Sequence, residues 1–389
     1  MSQLLESRWS ETKEALLEGL QGNKRSVMAT TLENTRKYLS ESATAGATSA
    51  GNVATLNRVI LPVIRRVMPT VIANELVGVQ PLTGPVGQIH TLRVRYSDTF
   101  AGATGGATTA GEEALSPFKI AEGYSGATTG KPASTAALEG VAGNKLSIQI
   151  LKQTVEAKTR KLSARWTFEA AQDAQAQQGI DIEAEIMAAL AQEITAEIDQ
   201  EVLRSLASLS STVLTYDQAA VSGTATFVGD EHAALAVQIN RAANLIAQRT
   251  RRGAGNWAVV SPTTLTLLQS ATTSAFARTT EGTFEAPTNT KFVGTLNSAM
   301  KVYVNTYAEN DNVLVGYKGG SESDAAAVYC PYIPLMSSGV VLDPATFEPV
   351  VSFMTRYGYV ELTNTASSLG NAADYLATVA VTSANLRFA

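Results

Sequence analysis

Few residues capable of chemistry fall at spacings that would let them act. Gly126-Ala-Thr-Thr-Gly-Lys131 approaches a phosphate-binding loop, in which backbone N–H groups cradle phosphate and a lysine reaches the outer oxygens. Its spacing is one residue short, and Pro132 stands where a Ser or Thr would hold Mg²⁺. Gly102-Ala-Thr-Gly-Gly106 lacks the strand–turn–helix setting of a dinucleotide fingerprint. No Gly-x-Ser-x-Gly elbow occurs, so a serine hydrolase is unsupported. A histidine base needs an oriented partner, and neither His90 nor His232 has a nameable one. His90 is expected as a partly buried strand residue and His232 as a surface group beside Asp230 and Glu231. Cys330, between Tyr329 and Pro331, reads as a small buried hydrophobe. One cysteine and two histidines rule out an intrachain disulfide and the usual zinc clusters. No catalytic residue, cofactor site or metal site is assigned.

Composition narrows the class further. The 389 residues carry a net charge of −5, with 45% hydrophobic and 17% charged side chains. That balance argues against a general nucleic-acid binder, which needs clustered Lys and Arg. No apolar run reaches membrane-spanning length, and the N-terminus has no apolar signal core. Ala, Thr, Ser and Gly are abundant and aromatics few, as in a shell or fibre protein more than a dense enzyme core.

The elements that must position any working surface begin with a long helix over 180–209. Ile182, Ile186, Leu190, Ile194, Ile198, Val202 and Leu206 recur every fourth residue. Asp181, Glu183 and Glu185 suit the positive helix start and Arg204 the negative end. A step of four advances the apolar stripe by roughly 40° each time, so the stripe winds and the helix is expected to be gripped from different sides. Glu193, Glu197 and Glu201 form a second row at the same spacing. It reads as a solvated acidic face or as a row covered by a basic surface of another subunit. Arg58, Arg65 and Arg66 offer such a surface; a solvated basic face and contact with nucleic acid are their other readings.

Strand-like runs over 92–100 and 146–162 flank a Gly/Ala/Thr-rich tract expected to be a flexible tip. Together they predict an extended hairpin whose far strand carries Lys152, Glu156, Lys158, Arg160 and Lys161. Such a polar, two-sided ribbon gains stability only by lying on something else. Pro81, Gly84, Pro85 and Gly87 predict a turn before it. Further on, a helix is expected over 230–252 and a buried strand over 257–260. Ser261 is expected to cap a helix opened by Pro262. Strands are expected over 302–304, 313–316, 326–329, 347–360 and 373–388. The N-terminal 41 residues hold Leu4, Leu5, Trp9, Leu16, Leu17 and Leu20 at helical spacing, with a second amphipathic stretch over 27–39. They read as an ordinary helix, a docking arm or a removable prosegment, and the low-complexity tract 42–51 is expected to be flexible.

Several ordered blocks resemble one family. Asn74 to Ile89 (NELVGVQPLTGPVGQI), followed by the strand ending in Arg95 and Tyr96, resembles the major head protein of T-even-like contractile-tailed bacteriophages. Thr167-Phe-Glu-Ala-Ala-Gln-Asp173 leading into Glu183-Ala-Glu185, then Gly255-Asn-Trp-Ala-Val-Val-Ser-Pro262, follow in the same order. Gly316-Tyr-Lys-Gly319, Tyr329-Cys-Pro-Tyr-Ile-Pro-Leu335 and Phe353-Met-Thr-Arg-Tyr-Gly358 complete the likeness across most of 53–360. Family members are longer, with a domain inserted before the long helix that is absent here.

The resemblance implies an α+β chain of the Hong Kong 97-type capsid fold. Its expected parts are an N-terminal segment over 1–51, an N-arm continuation and turn over 52–95, and an extended loop (E-loop) over 96–165. A peripheral domain with a spine helix follows over 166–229, then an axial domain over 230–345 and return strands over 346–389. It implies a non-enzymatic major capsid protein that self-assembles into hexamers and pentamers around double-stranded DNA. The implied partners are copies of itself, scaffold, prohead protease, portal, vertex and decoration proteins, with no membrane. The place is the virion, after assembly in the bacterial host cytoplasm. The family's protease cuts after Glu in Leu/Ile-x-Glu, which makes Glu41 in Leu39-Ser40-Glu41 the candidate cleavage position; Leu4-Leu5-Glu6 and Leu16-Leu17-Glu18 also fit. Inter-subunit candidates are Arg58, Arg65, Arg66, Lys152, Lys158, Arg160, Glu193, Glu197 and Glu201. A tail-tube or sheath protein and a soluble α/β enzyme using His90 or His232 are the alternatives.

Overall fold

The computed structural model describes residues 9, 13–44, 71–102, 106–114, 121–127, 129–178, 181–210, 213–217, 228–270, 276–278, 291–297, 299–346, 348–363 and 372–382. The chain is α+β and divides into two compact units. The first takes in 1–87, 154–203 and 328–360, the second 88–153, 204–327 and 361–389.

The first unit is built on a five-stranded sheet. Strands β1 (Gly78–Val79), β12 (Ala327–Ser337), β14 (Pro349–Glu361) and β13 (Val341–Leu342) follow in that order, and β5 (Lys158–Arg165) also pairs with β14. The strand expected at 326–329 thus runs on to Ser337 and joins this sheet. Burial alternates along the first half of β14 and puts Val351 and Phe353 in the core, as the two-residue period of a half-buried strand requires. Helix α5 (Ile182–Leu209) is the long helix expected. Its buried positions form two rows, 190, 194, 198, 202, 206 and 187, 191, 195, 199, 203. Both rows advance by four, so the buried side turns about the axis along the helix. The first two members of the apolar row, Ile182 and Ile186, are only half-buried. Helix α1 (Gly22–Thr44) buries Val27, Met28, Thr31, Leu32, Asn34 and Thr35.

The second unit holds a seven-stranded mixed sheet in the order β6-β15-β11-β7-β10-β9-β8. These strands are Val213–Asp217, Leu376–Thr382, Val313–Gly316, Trp257–Val260, Met300–Val304, Lys291–Leu296 and Phe276–Arg278. Helices α6 (Val228–Thr250) and α7 (Pro262–Ser270) supply Leu235, Ile239, Ile246 and Leu267 to its core, against Val302, Val315 and Val379. Ser261 caps α7, its Oγ accepting the Thr264 N–H at 3.1 Å and donating to Asp311 at 2.7 Å. The Ser261 cap and the fully buried β7 are as the sequence predicts.

The same unit contains a three-stranded ribbon, β3-β2-β4, of Glu113–Ala114, Val86–Tyr96 and Leu146–Glu156. The expected loose tip is in part folded. Tyr96, Phe100, Ala114, Ala121 and Tyr124 form a small core, with the Tyr96 and Tyr124 rings 4.5 Å apart. The Tyr124 hydroxyl donates to Lys145 O at 2.7 Å and accepts the Asp98 N–H. Two tyrosines among small residues suffice to close a loop, because each brings a large apolar face and a polar handle.

Candidate assembly surface

The acidic row of α5 lies on the outside, with Glu193, Glu197 and Glu201 all exposed. Two of its members meet an arginine of the same chain. Arg160, in β5, reaches Glu197 with Nη1 at 2.7 Å and Glu201 with Nη2 at 2.6 Å. Its Nε donates to the Tyr357 hydroxyl at 2.6 Å, and that hydroxyl donates to Glu201. Strand register explains the meeting: Lys158 pairs with Tyr357, and Arg160, two residues on, shares its face. The guanidinium fork offers donors in fixed directions, and three acceptors occupy them. Burial alone would lower the Arg160 pKa; the bonds to Glu201 and Tyr357 outweigh it and raise it. Burial and the bond to Glu201 push the Tyr357 hydroxyl up, against the opposing bond from Arg160.

Two residues from Glu197 and Glu201, and so on the opposite side of α5, Asp199 is 1% exposed. Its Oδ1 accepts the Ile72 N–H at 2.9 Å, while Oδ2 has no partner among the described residues. Burial lifts its pKa to about 7 against the pull of the Ile72 bond. The carboxyl therefore ties the chain at Ile72 to α5.

Strand β4 presents a different surface. Leu146, Ile148 and Ile150 are 50%, 71% and 67% exposed. Alternate residues of a strand share a face, so these three make an apolar stripe open to solvent. Lys152 and Lys158 are exposed beyond it.

The other sequence candidates distribute as follows. Arg58, Arg65 and Arg66 lie outside the described residues. Glu41 falls within α1, three residues before its end at Thr44, so Leu39-Ser40-Glu41 is helical backbone and not the margin of an irregular tract. Leu16 and Leu17 are buried. His90 is exposed, more so than expected. His232, expected on the surface, is buried and its Nδ1 pairs with the Ser270 hydroxyl; α7 folds over the first turn of α6 and takes it out of water. Cys330 is buried as expected, and burial pushes its thiol up to about 11. Among the described residues no group of His, Cys, Asp or Glu is placed to hold a metal, and no helix is long and apolar enough to cross a membrane. Sequence reasoning missed Tyr357 and Asp199. Tyr357 lies in a quoted block without a role; Asp199 has a usable signal, since it falls on the second buried row of α5.

The family model described as major capsid protein Gp23 matches residues 53–383. The major capsid protein of Vibrio phage KVP40 is 30% identical, over 85% of this chain and 82% of that protein. That of Enterobacteria phage T4 is 30% identical, over 82% of this chain and 78% of that protein. Among solved structures, one described as Mycobacterium phage Bobi overlaps with a TM-score of 0.47 at 14% identity, covering 88% of this chain and 98% of that one.

Proposed function

The chain belongs to the Gp23 family of phage major capsid proteins, and from that premise we propose how its parts build the shell. It is a structural protein of the phage head and a component of the virion. The tail-tube alternative gives way to that membership.

In our reading the chain takes the Hong Kong 97-type arrangement. Residues 1–51 are the N-terminal segment and 52–95 the arm and turn. Residues 96–165 are the extended loop, 166–229 the peripheral domain with α5 as spine, 230–345 the axial domain and 346–389 the return strands. Copies form capsomers, hexamers and pentamers, through cyclic contacts that close when each subunit presents one face to the next. Many weak contacts on a closed shell add through avidity. The shell assembles in the host cytoplasm and encloses double-stranded DNA without reading its sequence. Scaffold, prohead protease, portal, vertex and decoration proteins are its further partners, and cleavage after Glu41 releases the N-terminal segment once the end of α1 unwinds. Intact mass of the subunit from mature particles tests the cleavage: the full 40.9 kDa ends it.

The observation that carries the assembly reading is the stripe of Leu146, Ile148 and Ile150. An apolar strand face this exposed calls for a partner, and a neighbouring copy is the partner a homopolymeric shell supplies. The Arg160 cluster ties β5 to the spine helix within the first unit. Replacing Leu146, Ile148 and Ile150 together by serine tests it. Electron microscopy of the overexpressed chain is expected to yield closed shells or capsomers for the native sequence and dispersed, folded subunits for the variant. Normal shells from the variant would overturn the reading.

A further inference from the structure

The hairpin between β12 and β14 carries an apolar tip. After Ser337 the chain bends at Gly339, whose φ of 69° is a left-handed conformation that glycine adopts freely. Strand β13 then pairs back on β14, Val341 with Val350 and Leu342 with Pro349. The Asp343 N–H donates to Glu348 O at 2.9 Å and closes the ladder. The bend is held by the Ser338 N–H on Ser352 O at 2.9 Å and the Gly339 N–H on Ser337 Oγ at 3.0 Å. This fixed backbone leaves Val340, Val341 and Leu342 exposed by 42%, 56% and 44%.

Three open apolar side chains in a row serve no packing need of the hairpin. Natural sheets usually blunt such margins with charge or proline. Outside the ribbon segment 86–156, the other exposed large apolar side chains among the described residues are Phe168, Val237, Phe292 and Tyr307, each alone on its element. Single residues of that kind are normal. The described surface therefore carries two apolar runs: the β4 stripe in the second unit and the hairpin tip in the first.

The two runs end on opposite charges. On β4 the face of Leu146, Ile148 and Ile150 continues to Lys152, which is exposed. On the hairpin, Leu342 is followed by Asp343, with Glu348 across the ladder. Asp343 Oδ1 accepts the Ala345 N–H at 3.0 Å, and Glu348 lies 3.7 Å from the well-exposed Arg165.

We propose that the β4 stripe of one copy docks on the Val340–Leu342 tip of the next, with Lys152 set against Asp343 and Glu348. A shell of identical chains offers the stripe only surfaces of its own kind. A stripe meeting its own copy would close after two chains, whereas a ring needs two different patches on each subunit. The two apolar runs are that pair. The inference rests on the assembly reading above and names the surface that receives the stripe.

The test places Ile148→Cys and Val341→Cys on separate full-length chains, assembled singly and together and then mildly oxidised. A disulfide needs Cα atoms within about 7 Å, and the native Cys330 is buried in every chain. Cross-linked dimer is expected from the mixture at a yield at least about tenfold above either chain alone. A mixture that links no better than the separate chains, or Ile148→Cys chains that link equally well to themselves, would overturn the proposal. Should the cysteine chains not assemble, charge exchange followed by sedimentation decides. Lys152→Glu is expected to raise the concentration needed for association about threefold, and adding Asp343→Lys to recover it; no recovery overturns the docking. The Leu146/Ile148/Ile150 serine variant separates the two ideas. Normal shells from it sink the assembly reading; dispersed subunits from it, without a link between positions 148 and 341, sink only the docking.

Discussion

Asp199→Asn isolates the one buried carboxyl that α5 turns inward. The side chain is 1% exposed, one oxygen bonds the Ile72 N–H and the other has no partner among the described residues. Burial moves its pKa from an ordinary 3.8 to about 7. A folded-state pKa above the unfolded one means that the folded chain holds the proton more tightly. The associated stability is complete below about pH 4 and is lost as pH rises through about 7. At about 1.4 kcal/mol per pH unit, a displacement of this size corresponds to at most about 4 kcal/mol between pH 4 and pH 8. Asparagine keeps the acceptor for Ile72 and has no charge to bury. It places an amide donor where Oδ2 lacks a partner, a cost of about 1–3 kcal/mol that does not change with pH. The measurement is the urea unfolding midpoint of unassembled subunits, native and variant, from pH 5 to pH 8.5. The native chain is expected to lose stability relative to the variant from pH 5 up to about pH 7 and to level off above it. Parallel curves would refute the argument, since every other titrating group is common to both chains.

Arg160→Ala should loosen the joint between β5, β14 and α5; the half-exposed pairs are worth about 0.2–1 kcal/mol each, and a double-mutant cycle with Glu201→Ala should show coupling that falls with salt. Arg160→Lys should recover little of it, because an ammonium cannot fork to Glu197, Glu201 and Tyr357 at once. Gly316→Ala should lower the melting temperature by the equivalent of about 1–3 kcal/mol of overpacking, since a Cβ there would sit 2.1 Å from Trp257 Cζ2; an unchanged melting temperature would mean that β7 and β11 shift freely. Ser261→Ala should cost about 0.5–2 kcal/mol through loss of the α7 cap, read by the same thermal scan.

The legible parts of the fold were those governed by local periodicity. Seven apolar residues at a spacing of four made α5 unmistakable, four consecutive apolar residues made β7, and Ser261-Pro262 marked a helix start. Each rests on interactions within a few residues, which a linear pattern records. The ribbon strands were visible in part for the same reason, but 158–162, read as the end of the far strand, belong to β5 in the first unit's sheet. The folded tip was not, because Tyr96 and Tyr124 meet across a long tract of small residues that by composition reads as loose.

The acidic row carries the same lesson at the site. Glu193, Glu197 and Glu201 were visible as a row and Arg160 as a charge on the ribbon, but nothing in their spacing says that they touch. Register between β5 and β14 brings Arg160 beside Tyr357, and the packing of α5 brings Glu197 and Glu201 under both. His232 looked like a surface group beside two acids until α7 covered it, and Asp199 looked like one more helix carboxylate until the turning of the buried face took it inside. The amino-acid sequence alone determined the long helices and several of the central strands and, through the order of its motif blocks, the capsid family. Only the tertiary structure decided which charges are paired, which carboxyl is buried and which apolar strand faces stay exposed. Those outcomes depend on contacts between residues far apart in the chain, where strand register and helix rotation select the partner.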